Sequence, residues 1–96
     1  MKVKLDNYEM DILINGLFQQ RCDYDAQTNR SIEDLLFQIV WKVNHTKLRR
    51  RQKFRFEPQE ASLIRQCLIK WRKQQIQADK HGAAEAINEL IILFTC

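Results

Sequence analysis

The sequence predicts an all-α fold in the main, a four-helix bundle with a minor two-stranded ribbon, and three observations carry this prediction. Apolar residues recur at helical spacing over four segments of the chain. Two short stretches alternate polar and apolar residues, as half-buried strands do, and acidic residues at capping spacing follow each of them. Only two of the 96 residues are glycine and one is proline, which leaves few breaks for a loop-rich fold. We expect a single domain, residues 1–96, with a real hydrophobic core.

The first strand and helix are predicted from the N-terminal residues. The segment Val3–Leu5 alternates with lysines and predicts a short strand. Asp6 and Glu9 follow at capping-box spacing, so helix one should run from about Asn7 to Arg21. Gly16 falls inside this helix, where glycine costs roughly 0.5–1 kcal/mol relative to alanine. We therefore expect a close helix crossing at that position.

The second helix has the cleanest apolar stripe, and we expect it to be the central, most buried helix. A polar, turn-rich stretch precedes it, and Ser31 with Asp34 supplies its N-terminal cap. Its stripe consists of Ile32, Leu35, Leu36, Ile39, Val40 and Val43. Phe37 and Trp41 fall beside the stripe and indicate contact on a second side. The end of the helix stays open, because residues 47–51 fit either a basic last turn or a loop.

The second half of the chain begins with the same features. The alternating segment Phe54–Phe56 is followed by Glu57 and Glu60, with Pro58 at the first helical position. Helix three should extend to about Lys80.

A glycine predicts the end of helix three, and apolar spacing predicts the last helix. Gly82 is expected to be the C-terminal cap of helix three. The fourth helix should cover residues 83–94, where apolar residues again recur at helical spacing.

This recurrence of strand, acidic cap, helix, loop and helix favours an internal repeat of residues 1–46 and 47–96. Identities between the halves are few, and any two amphipathic helices resemble each other, so chance similarity is the alternative. Because neither helical hairpin can bury its apolar face alone, the two should pack into one bundle. The strands Val3–Leu5 and Phe54–Phe56 should then pair as a two-stranded ribbon.

The ribbon and the segment before it carry the only functional signal in the sequence. If the apolar strand residues face the bundle, the strand cations face solvent beside a basic run. The candidate polyanion-binding residues are Lys2, Lys4, Lys47, Arg49, Arg50, Arg51, Lys53 and Arg55. Such a surface neutralises phosphates, but lysine and arginine also protect an exposed strand edge from pairing, and both interpretations stay open. Phe54 and Phe56 are assigned to the core, although aromatic rings between cations can also stack bases.

No catalytic or metal motif competes with this signal. His45 and His81, together with Cys22, Asp23 and Asp25, match no zinc-ligand spacing. The two aspartates also lack the glycine and the terminal glutamate of a calcium loop. No helix-turn-helix is evident. We expect no cofactor and no small-molecule substrate, and an enzyme is the class that the sequence favours least.

The C-terminal apolar run is the second candidate surface. Leu90, Ile91, Ile92, Leu93 and Phe94 are apolar on nearly every side of the predicted helix, more than one bundle face absorbs. The run fits either a helix buried within one chain or the seam of a homodimer.

Bulk composition narrows the function classes. The net charge is only +4, because 12 acidic residues offset 16 basic ones, so composition alone does not indicate nucleic-acid binding. Three cysteines without a CxxC pair favour free thiols in a reducing cytoplasm. We expect no signal peptide and no membrane partner, since the longest apolar run is far short of the ~20 residues that a spanning helix needs.

The overall pattern is similar to that of many small bacterial and phage-borne proteins, and no specific motif carries this resemblance. The leading hypothesis is a non-catalytic interaction or regulatory module that binds a protein partner, or a second copy of itself, through helix faces. The alternative is nucleic-acid binding through the basic segment 47–55.

Overall fold

The computed structural model describes residues 1–45 and 52–95 and shows, in these ranges, four helices and two short strands. In chain order they are β1 (Lys2–Leu5), α1 (Asn7–Gln20), α2 (Ala26–His45), β2 (Gln52–Arg55), α3 (Pro58–Gln77) and α4 (His81–Leu93). The two strands form one antiparallel sheet. The prediction of a mainly helical chain with a minor two-stranded ribbon is confirmed. Whether residues 47–51 form a helix or a loop lies outside the described residues.

The sheet has a register that fixes which side chains face each other. Val3 pairs with Phe54, and the two lysines of β1 pair with the cations of β2. β2 begins earlier than predicted, at Gln52. Phe56 still extends the ladder, because Met1 and Phe56 exchange two hydrogen bonds, each of 2.8 Å.

The first turn of α1 has the predicted capping box. The backbone N–H of Glu9 donates to the Asp6 carboxylate at 2.8 Å, and the backbone N–H of Asp6 donates back to Glu9 Oε1 at 3.0 Å. At α3, the backbone N–H of Glu57 donates to Glu60 Oε1 at 2.8 Å, with Pro58 as the first helical residue.

The start of α2 differs from the prediction. The helix begins at Ala26, and Asp25 rather than Ser31 caps it, accepting a hydrogen bond from the backbone N–H of Thr28 at 2.7 Å. Hydrogen bonds from Thr28 lower the pKa of the Asp25 carboxyl. Ser31 lies inside the helix, where its hydroxyl donates to the carbonyl of Gln27. Both residues are good caps, and the earlier one starts the helix.

The end of α3 also differs. The helix ends at Gln77, and the left-handed residue that closes it is Asp79, with φ of 61°, not Gly82. The N–H of Asp79 donates to the carbonyl of Ile76 and that of Lys80 to the carbonyl of Gln75, which is the Schellman pattern. Gly82 belongs instead to the first turn of α4 and has no positive φ.

The hydrophobic core lies between the inner face of the sheet and the four helices. Its members are Val3, Leu5, Met10, Leu13, Leu17, Ile32, Leu35, Ile39, Phe54, Phe56, Ala61, Ile64, Cys67, Leu68, Ile87, Leu90, Ile91 and Phe94. The ring of Phe94, just past α4, packs on Phe56 of the sheet with centroids 5.7 Å apart. The carbonyl of Phe94 accepts a hydrogen bond of 2.9 Å from Arg65, so α3 holds the end of α4.

The central helix is α3, not α2. Only three of the 20 residues of α2 are buried, whereas α4 buries four of its 13. α3 packs against both α1 and α4, while α2 packs mainly on α1. The prediction that the second helix is the most buried is therefore wrong, as is the contact expected at Phe37 and Trp41, whose side chains are exposed.

Gly16 marks the crossing of α1 and α3. A Cβ atom at this position would lie 3.0 Å from Cε3 of Trp71 and 3.1 Å from Cδ2 of Leu68. The absence of a side chain therefore lets the two helices approach closely. In the described part of the chain, no helix has the length and apolar character required to cross a membrane.

Candidate nucleic-acid interface

The outer face of the sheet is cationic at every position. In β1 the exposed residues are Lys2 and Lys4, and in β2 they are Lys53 and Arg55. Their neighbours in the strands are buried, because successive side chains of a strand point to opposite faces. The sequence pattern that predicted this surface rests on the same period of two. We call these four residues the ribbon cations.

The register places the ribbon cations in two like-charged pairs. Lys2 lies opposite Arg55, and Lys4 lies opposite Lys53. Because Met1 and Phe56 form a hydrogen-bonded pair, alternation along an antiparallel ladder makes both cationic pairs non-hydrogen-bonded. Side chains approach most closely in such pairs, and like charges directly opposite each other are destabilising.

Lys42 of α2 joins the ribbon cations from the side. Its ammonium group donates to the backbone carbonyl of Lys53 and lies 4.7 Å from the centroid of the Phe54 ring. This carbonyl points away from β1, as expected for a residue of a non-hydrogen-bonded pair at the free edge of β2. Sequence reasoning missed Lys42, because no local pattern shows that the end of α2 passes beside this edge.

Together the five cations surround a groove of about 690 Å³. Its lining residues are Lys2, Val3, Lys4, Lys42, Lys53, Phe54 and Arg55. All polar side chains in this lining are cationic.

No carboxylate neutralises this groove in the described ranges. The ion pairs found in residues 1–45 and 52–95 join Lys70 to Asp23 and His81 to Asp79, and neither involves the groove. The six residues between α2 and β2 have the sequence Thr-Lys-Leu-Arg-Arg-Arg and contain no carboxylate either. The candidate residues Lys47, Arg49, Arg50 and Arg51 belong to this segment and lie outside the described residues.

The aromatic residues of β2 belong to the core. Phe54 and Phe56 are buried, and their rings are nearly parallel with centroids 5.9 Å apart. Neither ring presents a free face to a nucleic-acid base.

The apolar C-terminal run is divided between the core and the surface. Leu90, Ile91 and Phe94 are buried within the chain's own fold. Ile92 and Leu93 are 57% and 37% exposed, so these two remain on the surface.

The other polar residues considered as metal ligands do not lie together in one site among the described residues. His81 pairs with Asp79, and His45 lies at the end of α2. In the part of the chain that the structure describes, no three His, Cys, Asp or Glu side chains are grouped to hold a metal ion.

Cys67 is a buried thiol in α3, whereas Cys22 is exposed. Burial raises the pKa of the Cys67 thiol to about 11. Tyr24, from the connection between α1 and α2, packs beside this thiol, and burial together with Cys67 raises its pKa to about 12. The ammonium group of Lys70 covers the Tyr24 ring at 4.7 Å and pairs with Asp23 at 3.6 Å. These contacts attach the connection to α3 and show no nucleophile activated by a base.

Comparison with known proteins found no matching family model, no matching curated protein and no matching solved structure.

Proposed function

We propose that this protein is a non-catalytic binding module whose ligand is a nucleic acid, bound through its phosphates by the ribbon cations and Lys42. One observation carries the proposal: five cations line one groove and, within the described residues, none of them has an ion-pair partner. A surface that only protected a strand edge would not require two like-charged pairs at the closest cross-strand positions. Phosphate groups supply the missing countercharge.

The sequence between α2 and β2 strengthens this proposal. It connects the last residue of α2, a helix that carries Lys42, to β2, which carries two ribbon cations. In the sequence, its four cations therefore stand between two elements that contribute to the groove. The guanidinium fork of arginine matches phosphate geometry, and three of these four cations are arginines.

The test is fluorescence anisotropy of labelled nucleic acid, repeated over a series of salt concentrations. Contacts from all five groove cations predict a log–log slope of about −4.5 on duplex DNA and about −3.5 on a single strand, steeper if the basic segment also binds. The variant Lys4→Glu/Arg55→Glu should abolish binding at moderate salt. Lys73→Glu/Lys80→Glu, which makes the same change in net charge at two exposed positions outside the groove lining, should leave most of the affinity. Absence of binding to every nucleic acid tested would refute the proposal.

A second candidate function is self-association or protein binding through helix faces, and exposed Ile92 and Leu93 favour it. Two adjacent apolar side chains are a small surface compared with a stable interface. Sedimentation at increasing concentration measures this directly. Ile92→Glu should not change the sedimentation of a monomer, whereas it should dissociate a dimer built on this patch.

We also infer that the chain arose as a repeat of one strand–helix–helix unit, residues 1–46 and 47–96. The element order within the described residues supports this inference, since a strand and two helices occur in each half. The antiparallel pairing of β1 with β2 is what a twofold arrangement of the two units requires. In such a bundle the groove cations come from both halves.

A further inference from the structure

The outward face of α2 carries a line of aromatic rings that the fold does not use. Phe37 and Trp41 are 71% and 54% exposed, and His45 is exposed as well. These residues are four apart, so they lie on one face of the helix. Exposed apolar side chains grouped in this way are typical of a surface that contacts another molecule.

Two of the rings are held in place. Trp41 and His45 stack with centroids 4.2 Å apart and an angle of 11° between their planes. Nδ1 of His45 lies 2.8 Å from the carbonyl oxygen of Trp41. A carbonyl oxygen only accepts, so this nitrogen carries the proton and donates it. The outer face of the indole is thereby presented in a fixed orientation.

A cavity of about 510 Å³ adjoins the first two rings. It is lined by Phe37, Gln38, Trp41 and Lys42. Phe37 and Trp41 are about 6 Å apart along the helix axis, so a planar ring that stacks on either of them would occupy this cavity. Gln38 adds an amide that can both donate and accept hydrogen bonds at the edge of such a ring.

Lys42 makes this aromatic face continuous with the cationic groove. The same side chain lines both cavities, with its ammonium group against β2. An apolar protein partner would not require, beside the aromatic rings, five cations that have no ion-pair partner among the described residues. A chain of phosphates with unpaired bases complements both parts, since cations bind its backbone and aromatic rings stack on its bases.

We propose that the aromatic face of Phe37, Trp41 and His45 stacks unpaired bases, so that the ligand is single-stranded nucleic acid. The inference rests on the proposed function, because the groove cations hold the phosphates of the same strand. Duplex nucleic acid is disfavoured, since its bases are stacked on one another and expose only their edges in the grooves.

The test compares three labelled probes of equal length at one salt concentration: a single-stranded oligonucleotide, an abasic strand with the same phosphates, and a duplex. The single strand should bind more tightly than the abasic strand, by roughly 5- to 150-fold for each stacked base. Phe37→Ala/Trp41→Ala should remove this difference while leaving the affinity for the abasic strand unchanged. Phe18→Ala, an exposed aromatic at the far end of the α1–α2 hairpin, is the matched control and should change neither affinity.

Tryptophan fluorescence gives an independent readout. A base stacked on Trp41 should quench its emission, and Trp41→Phe should bind nearly as well but lose the quenching. Equal binding of all three probes, or tightest binding of the duplex, would overturn the stacking inference and leave the phosphate groove standing. Failure to bind any probe would overturn both proposals and direct the search to a protein partner.

Discussion

Lys4 and Lys53 lie directly opposite each other in a non-hydrogen-bonded pair of the sheet, with no carboxylate partner among the described residues. Like charges in this position destabilise a sheet by roughly 0.2–1 kcal/mol. The fold thus retains an unfavourable pair that neutral side chains would avoid. Stability and ligand binding should therefore respond in opposite directions to charge reversal at this site.

Charge reversal of one member of each pair should stabilise the protein while removing its ligand affinity. In Lys4→Glu/Arg55→Glu both cross-strand pairs become oppositely charged, so the free energy of unfolding should rise by about 0.5–2 kcal/mol at low salt. Urea unfolding with and without added salt measures the effect, which salt should diminish. A variant that is less stable than the wild type would show that the ribbon cations have structural partners.

Substitutions at Gly16 and Gly82 can be compared directly, because both glycines are helical and only Gly16 is crowded. Alanine at position 16 would crowd Trp71 and Leu68, and overpacking of about 1–3 kcal/mol should exceed the gain in helix propensity. Gly16→Ala should therefore lower the free energy of unfolding by about 1 kcal/mol. Apart from its chain neighbours and the adjacent backbone of its own helix, no atom of the described residues lies within 4 Å of a Cβ at position 82, so Gly82→Ala should raise it by roughly 0.5 kcal/mol. Thermal unfolding of both variants tests the crossing, and stabilisation by both would show that α1 and α3 are not in close contact.

Asp79 is the left-handed residue after α3, and its φ of 61° strains an L-residue. Asp79→Gly should relieve this strain and raise the free energy of unfolding by about 0.5–1 kcal/mol. It also removes a negative charge near the C-terminal end of the helix dipole. Asp79→Asn is the control for that charge, since it keeps the side-chain length and the strain. An Asp79→Ala variant more stable than Asp79→Gly would contradict the assigned backbone conformation.

The ends of the helices show which features of the fold the sequence predicts and which it does not. The capping box of Asp6 and Glu9 is a local pattern with one structural solution, and the sequence predicts it. The sequence offers two residues that could cap α2, Asp25 and Ser31. The structure uses Asp25, and the local pattern alone does not distinguish the two. Likewise Asp79 tolerates the left-handed conformation, so the glycine rule places the end of α3 too late.

The candidate site likewise contains some residues that the sequence predicts and others that it does not. Period-two alternation predicts the ribbon cations, because the side of a strand is a local property. The contribution of Lys42 depends on how α2 crosses the edge of β2, which is a tertiary relationship. Phe37 and Trp41 are predicted as packing residues, since exposed and buried aromatics have the same spacing in a sequence. Only the position of α2 at the periphery distinguishes them.

The buried thiol of Cys67 should make the protein less stable in alkaline solution. Its pKa is about 11 in the folded chain, above its ordinary value of 9.0, and that of Tyr24 is about 12 against 10.0. Between about pH 9 and 11 the unfolded chain therefore loses protons that the folded chain retains, so the free energy of unfolding falls as the pH rises. This stabilising contribution is fully present below about pH 9. Urea unfolding at several pH values under reducing conditions measures the slope.

The Cys67→Ala variant should have a shallower alkaline slope, although the cavity it creates lowers stability at every pH. Cys22→Ala is the control for the removal of one thiol, since Cys22 is exposed. The rate of thiol labelling in a Cys96→Ser background measures how fast the protein opens around Cys67. Cys22 should react at once, while Cys67 should react only as fast as the protein opens, since burial withholds both access and the thiolate form. Rapid labelling of Cys67 at neutral pH would contradict its place beneath Tyr24 in the core.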